Sequence, residues 1–310
     1  MVNDNLPPQV DLASPAVTRA LVRRFDIRPR HRLGQHFLVS RDTVERIIAA
    51  ADLRPGELVI EVGAGLGTLT RALATVAERV IALEIDPRFL PVLACTVGDY
   101  GNVEVVPADV RRTSLDRLAR ERGASAFKVV ANLPYYLTSV FLRQLLTREQ
   151  GFTAAVLTVQ REVAERLLAA PGTKAYGLLS VAVQYFAEVK RVAEVGREQF
   201  WPRPEVASTV VRLVRRSRPP VEVGEEEFFF RLVRSGFGRR RKTLLNALEA
   251  GLGLSKERLR EVLKAQGLPE NCRAEELGLE DWAALSRALG SRPGKEDRRW
   301  NTLSAPPKDR

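Results

Sequence analysis

The chain has 310 residues, 45% of them hydrophobic, enough for a full α/β domain and a smaller second unit. Its 49 Lys and Arg against 38 Asp and Glu leave a net charge of +11, which points to an anionic partner and favours nucleic acid over an acidic membrane surface. Two cysteines, Cys95 and Cys272, and two histidines, His31 and His36, stand at no familiar spacing and support neither a disulfide framework, nor a zinc site, nor a His-dependent hydrolase.

In chain order, residues 1–24 are Pro-rich and polar without a period and are expected to be a disordered N-terminal tail. No run approaches the roughly 20 apolar residues of a membrane span and no leader pattern opens the chain, so a cytoplasmic location without membrane association is expected. Short Val/Ile/Leu runs then alternate with amphipathic stretches: ELVIEV (57–62), RVIALEI (79–85), VEVV (103–106), FKVVAN (127–132) and TAAVLTV (153–159). That alternation predicts a parallel sheet covered by helices over 25–216, closing with a strand in VASTVVRLV. After the linker RRSRPPVEVG only helical periods follow, so a second, all-helical domain is expected at 217–290 and a disordered C-terminal tail at 291–310.

The first strand runs into Gly63-Ala64-Gly65-Leu66-Gly67, where glycines let the backbone turn tightly and expose N–H groups at a helix start. The next strand ends at Glu84, a position from which a carboxylate accepts both hydroxyl hydrogens of a ribose. Thr68 stands where a dinucleotide fingerprint would place a small residue, and Glu61 lies two positions before the first glycine. A carboxylate there suits the ammonium and sulfonium of S-adenosylmethionine better than a pyrophosphate. Asp109, after the third strand, could accept from the amino group of the cofactor's adenine.

The fourth strand ends in Asn132-Leu133-Pro134-Tyr135, beyond the carboxyl end of the sheet where ligands of open α/β folds sit. The exocyclic nitrogen of adenine is a poor nucleophile because its lone pair is delocalised into the ring. The Asn132 side-chain carbonyl and the Leu133 backbone carbonyl can each accept one of its hydrogens, Pro134 holds the turn, and Tyr135 offers a face for stacking. Phe200, opening Phe200-Trp201-Pro202-Arg203-Pro204, is a candidate for the other wall of the base pocket, with a place in the core as the competing reading. Arg239, Arg240, Arg241 and Lys242 are expected to open a helix that continues as TLLNALEA. Positive charge opposes the dipole at that end, so with Arg23 to Arg32 they are candidates for RNA binding at phosphates.

In RLGQHFL (32–38), EVGAGLGTLT (61–70), LEID (83–86), ANLPYYLTS (131–139), QREVAERLLAAPGTKAYGLLSV (160–181), FWPRPEVASTVVRL (200–213) and FGRRRKTLLNAL (237–248) the chain resembles the ribosomal RNA adenine N6,N6-dimethyltransferases. The resemblance implies a Rossmann-like class I methyltransferase domain with a smaller C-terminal all-helical domain. It also implies S-adenosylmethionine as cofactor and dimethylation of two adjacent adenines in the 3′-terminal hairpin loop of small-subunit rRNA during subunit biogenesis. The implied partners are that rRNA and the small ribosomal subunit or its precursor, with the chain acting as a monomer. His36 and Leu38 are implied to touch the cofactor, Gly63 to belong to its loop, Glu84 to meet the ribose, Asp109 the adenine, and Asn132 both cofactor and target. Relatives usually carry Asp where this chain has Ala207. A resistance-type large-subunit rRNA methyltransferase and a non-catalytic assembly factor remain the alternatives. A nicotinamide-dependent dehydrogenase would have no use for Asn132-Leu133-Pro134-Tyr135.

Overall fold

The structure, a computed structural model, describes residues 5–30, 34–239 and 241–290. The chain divides into two compact units, Met1–Ala164 with Glu188–Arg215, and Glu165–Ala187 with Arg216–Arg310.

The first unit is built on a seven-stranded sheet. In chain order it contains α1 (Pro15–Arg24), β1 (Phe37–Leu38), α2 (Arg41–Ala51), β2 (Leu58–Val62), α3 (Thr68–Ala74), β3 (Arg79–Glu84), α4 (Leu90–Val97), β4 (Val103–Pro107), α5 (Leu115–Arg120), β5 (Phe127–Asn132), α6 (Thr138–Thr147) and β6 (Phe152–Gln160). After α7 (Arg161–Leu168) and α8 (Leu178–Phe186) come β7 (Ala187–Val195), β8 (Phe200–Trp201) and β9 (Ser208–Arg215). The strand order is β4-β3-β2-β5-β6-β9-β7. β2 is parallel to β3 and β5, β5 to β6, and β9 runs antiparallel to β6. Every residue of β2 is buried, Glu61 included, as in a strand covered on both faces. The direction of chain progression reverses between β2 and β5, which puts the topological switch point at the ends of those two strands.

Three expectations change. Residues 5–24, expected within a disordered tail, are ordered: α1 buries Thr18, Leu21 and Val22, and Leu12, Leu21 and Val22 pack with Phe37, Leu66 and Phe89. The Arg71 guanidinium on α3 holds it there, donating to the carbonyls of Leu6, Pro7 and Val10 at 3.0–3.1 Å and to that of Thr96. Polar composition suggested disorder, yet spaced apolar residues and one buried arginine suffice to dock it. Second, Glu165–Ala187 belongs with the helical unit although it falls inside the expected 25–216 domain. The reason is packing: Tyr176, Val181 and Tyr185 enter one core with Phe229, Phe230, Leu244 and Trp282. Third, β7 was not anticipated, although AEVKRVAEV alternates as an edge strand does. Residues 291–310, expected to be a tail, lie outside the described residues.

The second unit also holds α9 (Glu226–Phe237), α10 (Leu244–Leu252), α11 (Lys256–Ala265) and α12 (Leu279–Leu289) around that core. Tyr185 stacks on Phe229 at 5.2 Å and meets Phe230 edge-on at 5.3 Å.

Candidate active site

A cleft enclosing about 1020 Å³, its open mouth included, lies at the carboxyl ends of β2, β3 and β5. Its lining includes His36, Leu38, Glu61, Gly63, Gly65, Glu84, Asp109, Asn132 and Pro134 of the expected site residues. Phe37, Ile85, Phe89, Arg111 and Tyr136 also line it and were not singled out from the sequence. Ile85 carried a signal, an apolar residue directly after the strand-ending acid, and it is 52% exposed, as a platform for a flat ring would be.

The glycine turn is tied to the neighbouring strand. Gly63 and Ala64 donate their amides to the Leu83 carbonyl at 2.9 and 3.1 Å, and Gly65, at φ 54°, donates to Glu84 Oε2 at 2.8 Å. Gly67 starts α3 at φ 84°, and a Cβ there would lie 2.7 Å from Thr96 Oγ1, so this position requires glycine twice over. The other Glu84 oxygen accepts from the Asp86 amide at 2.8 Å. Two backbone donors therefore set the carboxylate at the cleft wall, and burial still raises its pKa.

Glu61 is 1% exposed and accepts from Thr70 Oγ1 at 2.5 Å. Burial, opposed by that hydrogen bond and reinforced by the Glu84 charge, pushes it up to about 8. Asp86 is held down to about 2 by the Arg88 guanidinium, which outweighs its partial burial, and Gln35 Nε2 donates to it at 2.9 Å. Asp109 is lowered by Arg111, whose Nη2 donates to its Oδ2 at 2.7 Å and Nε to its Oδ1 at 3.0 Å. The lining thus carries Glu61, Glu84, Asp86 and Asp109 with Arg111 the one lysine or arginine among the described residues. Such a wall repels a pyrophosphate and fits a ligand bearing a ribose, an ammonium and a sulfonium.

Asn132 ends β5 with its Nδ2 donating to the His36 carbonyl at 3.0 Å, which leaves the side-chain carbonyl as an acceptor. Leu133 donates its amide to the Thr158 carbonyl at 3.3 Å, and among the described residues no backbone amide is paired with the Leu133 carbonyl. Both acceptors expected from the sequence therefore stand at one strand end. Tyr135 borders this strand end and does not line the cleft; its ring stacks with His36 at 5.9 Å and its hydroxyl meets Ser208 Oγ at 3.2 Å. His36 Nδ1 lies 2.8 Å from the Pro202 carbonyl, so the segment 202–208 is tied to both rings.

Phe200 is not brought to this site. It is 3% exposed, paired with Leu38 across β1 and β8, and packed with Val44, Ile47 and Val210, so the core claims the ring. Ala207 contributes its carbonyl, which accepts from the Arg161 amide at 3.0 Å. Arg239, Arg241 and Lys242 are exposed but do not open a helix. They form a turn, closed by the Lys242 amide on the Arg239 carbonyl at 2.8 Å, before Thr243 caps α10. Arg240 lies outside the described residues.

A family model described as ribosomal RNA adenine dimethylase matches residues 27–290. The "Ribosomal RNA small subunit methyltransferase A" of Pelotomaculum thermopropionicum is 48% identical over 283 residues, covering 89% of this chain and 96% of that one. The protein of the same name in Moorella thermoacetica is 46% identical, covering 90% and 98%. Among solved structures, a dimethyladenosine transferase from Plasmodium falciparum aligns with a TM-score of 0.67 at 27% identity, over 81% of this chain and 96% of that one. The 23S rRNA methyltransferase ErmE aligns with a TM-score of 0.64 at 30% identity, over 82% and 99%. The chain belongs to the ribosomal RNA adenine dimethylase family.

Proposed function

We propose that this chain dimethylates the N6 amino groups of two adjacent adenines in the 3′-terminal hairpin loop of small-subunit rRNA, using S-adenosylmethionine. The observation that carries the reading is the end of β5, where the His36 carbonyl holds the Asn132 amide and two carbonyl acceptors stand beside an acid-lined cleft. The small-subunit substrate is favoured over a large-subunit one by the names of relatives at 46–48% identity, against 30% for ErmE.

S-adenosylmethionine supplies an electrophilic methyl group. Glu84 accepts from its ribose, Asp109 from its adenine, and Glu61 offers negative charge to its cationic end, with His36, Leu38, Gly63, Gly65 and Gly67 shaping the loop side. Asn132 Oδ1 and the Leu133 carbonyl accept the two N–H groups of the target, which draws the nitrogen lone pair out of the ring and aims it. Pro134 fixes that turn and Tyr135 stacks the base. The methylated nitrogen is acidic and loses its proton to water, so positioning and desolvation are the main contributions. Arg239, Arg240, Arg241 and Lys242 bind rRNA phosphates from the helical unit. The protein acts as a cytoplasmic monomer on the small subunit or its precursor. No helix among the described residues is long and apolar enough to cross a membrane.

The test is transfer of labelled methyl to unmethylated small subunits, with the modified positions mapped. Two dimethylated neighbours near the 3′ end support the reading; label appearing only in large-subunit rRNA, or in neither, overturns it.

A further inference from the structure

The arginines flanking the start of the family match stand on an ordered part of the first unit. α1 buries Thr18, Leu21 and Val22 and leaves Arg19 and Arg23 exposed, and the turn that follows leaves Arg28 and Arg30 exposed. Exposed helical arginines elsewhere on this unit include three that sit one turn from a carboxylate, Arg41 with Glu45, Arg46 with Asp42 and Arg117 with Glu121. Over residues 15–30 the only acid is Asp26, and among the described residues Arg19, Arg23, Arg28 and Arg30 form no ion pair. A solvated face built for stability would interleave opposite charges.

Backbone bonds join this strip to the wall of the cleft. Arg88 Nη1 donates to the Arg28 carbonyl at 3.1 Å, and the Arg30 amide donates to Gln35 Oε1 at 2.8 Å. Gln35 in turn donates to Asp86, and both residues line the cleft. Main-chain atoms and Gln35 thus anchor the turn, and the Arg28 and Arg30 side chains are left to the outside. A row of guanidiniums without ion-pair partners among the described residues, anchored at its Arg28–Arg30 end beside the cleft wall, suits the phosphates of a nucleotide strand.

We propose that Arg19, Arg23, Arg28 and Arg30 form a phosphate-binding strip on the catalytic unit that holds the single-stranded RNA leading to the cleft. The proposal rests on the reading of the substrate as rRNA. The test compares the parent with two full-length variants, all four arginines replaced by Gln and all four by Lys, for binding of an unmethylated hairpin of the small-subunit 3′ end between low and moderate salt. Each phosphate contact on single-stranded RNA adds about 0.7 to the slope of log affinity against log salt, so the Gln variant should lose up to about 3 of that slope. The Lys variant should keep most of it, and S-adenosylmethionine affinity should be the same in all three. A Gln variant with the parent's slope and RNA affinity overturns the strip while leaving the substrate reading intact. Equal losses in the Gln and Lys variants also overturn it, since charge would then not be the cause. A parent that neither binds nor methylates the hairpin or the small subunit fails at the substrate reading itself, and the strip falls with it.

Discussion

Glu61 sits in an environment far from that of a free side chain. Its carboxyl rests at about 8 in the buried wall, whereas an ordinary glutamate titrates at 4.5. A cationic ligand needs the carboxylate, so below about pH 8 binding must expel a proton. S-adenosylmethionine affinity should then strengthen by up to tenfold per pH unit toward pH 8 and level off above it. Calorimetry in buffers of different ionisation enthalpy should find close to one proton released at pH 7 and almost none at pH 9; a flat profile would remove Glu61 from the cationic end of the ligand. The same group acts against the ligand-free fold. Between 4.5 and 8 the folded state holds a proton the unfolded state has lost, so stability falls as pH rises through that window. Glu61→Gln should raise the urea midpoint at pH 8 and weaken cofactor binding by roughly tenfold or more, a charge-assisted hydrogen bond being worth about 1.5–3 kcal/mol.

At the other side of the cleft, Asn132→Ala should lower the methyl-transfer rate by about 100-fold or more, the scale set by removing one preorganised polar group, with fold and RNA affinity retained. The Tyr135 hydroxyl makes only long contacts, 3.2 Å to Ser208 Oγ and 3.4 Å to the Val206 carbonyl. Tyr135→Phe should therefore be mild and Tyr135→Ala severe. Equal impairment of the two variants in single-turnover assays would dismiss stacking as the role of the ring.

At the scale of elements, the segment before α1 behaves as a strap across the base of α3, the helix that the glycine turn opens. Arg71 is a buried cation whose acceptors are backbone carbonyls, three from the strap and one at Thr96. Burial lowers its pKa, an effect that the nearby Tyr100, Cys95 and Asp99 offset only in part. Deleting residues 1–13 leaves half of that guanidinium without partners. The urea unfolding free energy of the full chain should fall by at least about 2 kcal/mol, with the loss largest in the first unit by hydrogen exchange. An unchanged midpoint would mean that water replaces the strap at no cost.

For the whole molecule, the net charge of +11 favours an anionic partner, and the cluster before α10 is a candidate for where it binds. Replacing Arg239, Arg240, Arg241 and Lys242 by Gln should flatten the salt slope of small-subunit binding by up to about 3 and leave cofactor affinity unchanged. Because Arg239, Arg241 and Lys242 precede the Thr243 cap of α10, removing their charge should not weaken the helical unit and could strengthen it by a few tenths of a kcal/mol. A variant that keeps the parent's slope and affinity would show that rRNA is not held there.

The parallel sheet, the glycine turn, the acid ending β3 and the Asn132-Leu133-Pro134-Tyr135 strand end are legible in the amino-acid order alone. Each is a local pattern, a buried apolar run or a turn chemistry, whose physics is complete within a few residues. The sequence also held the family resemblance, carried by motifs in order along the chain. Other features depend on contacts between residues distant along the chain. Phe200 could have faced a base or the core, and its pairing with Leu38, distant in sequence, chose the core. Tyr176 and Tyr185 sit between strands of the sheet in sequence, yet aromatic packing with Phe229 and Phe230 assigns them to the helical unit. The polar segment from residue 5 to α1 is ordered because Arg71 supplies donors no local pattern reveals, and Glu61 is perturbed because it is buried between β3 and β5, with the Glu84 charge adding to the effect. Burial and long-range hydrogen bonds depend on residues far apart along the chain, and periodicity reports only on neighbours.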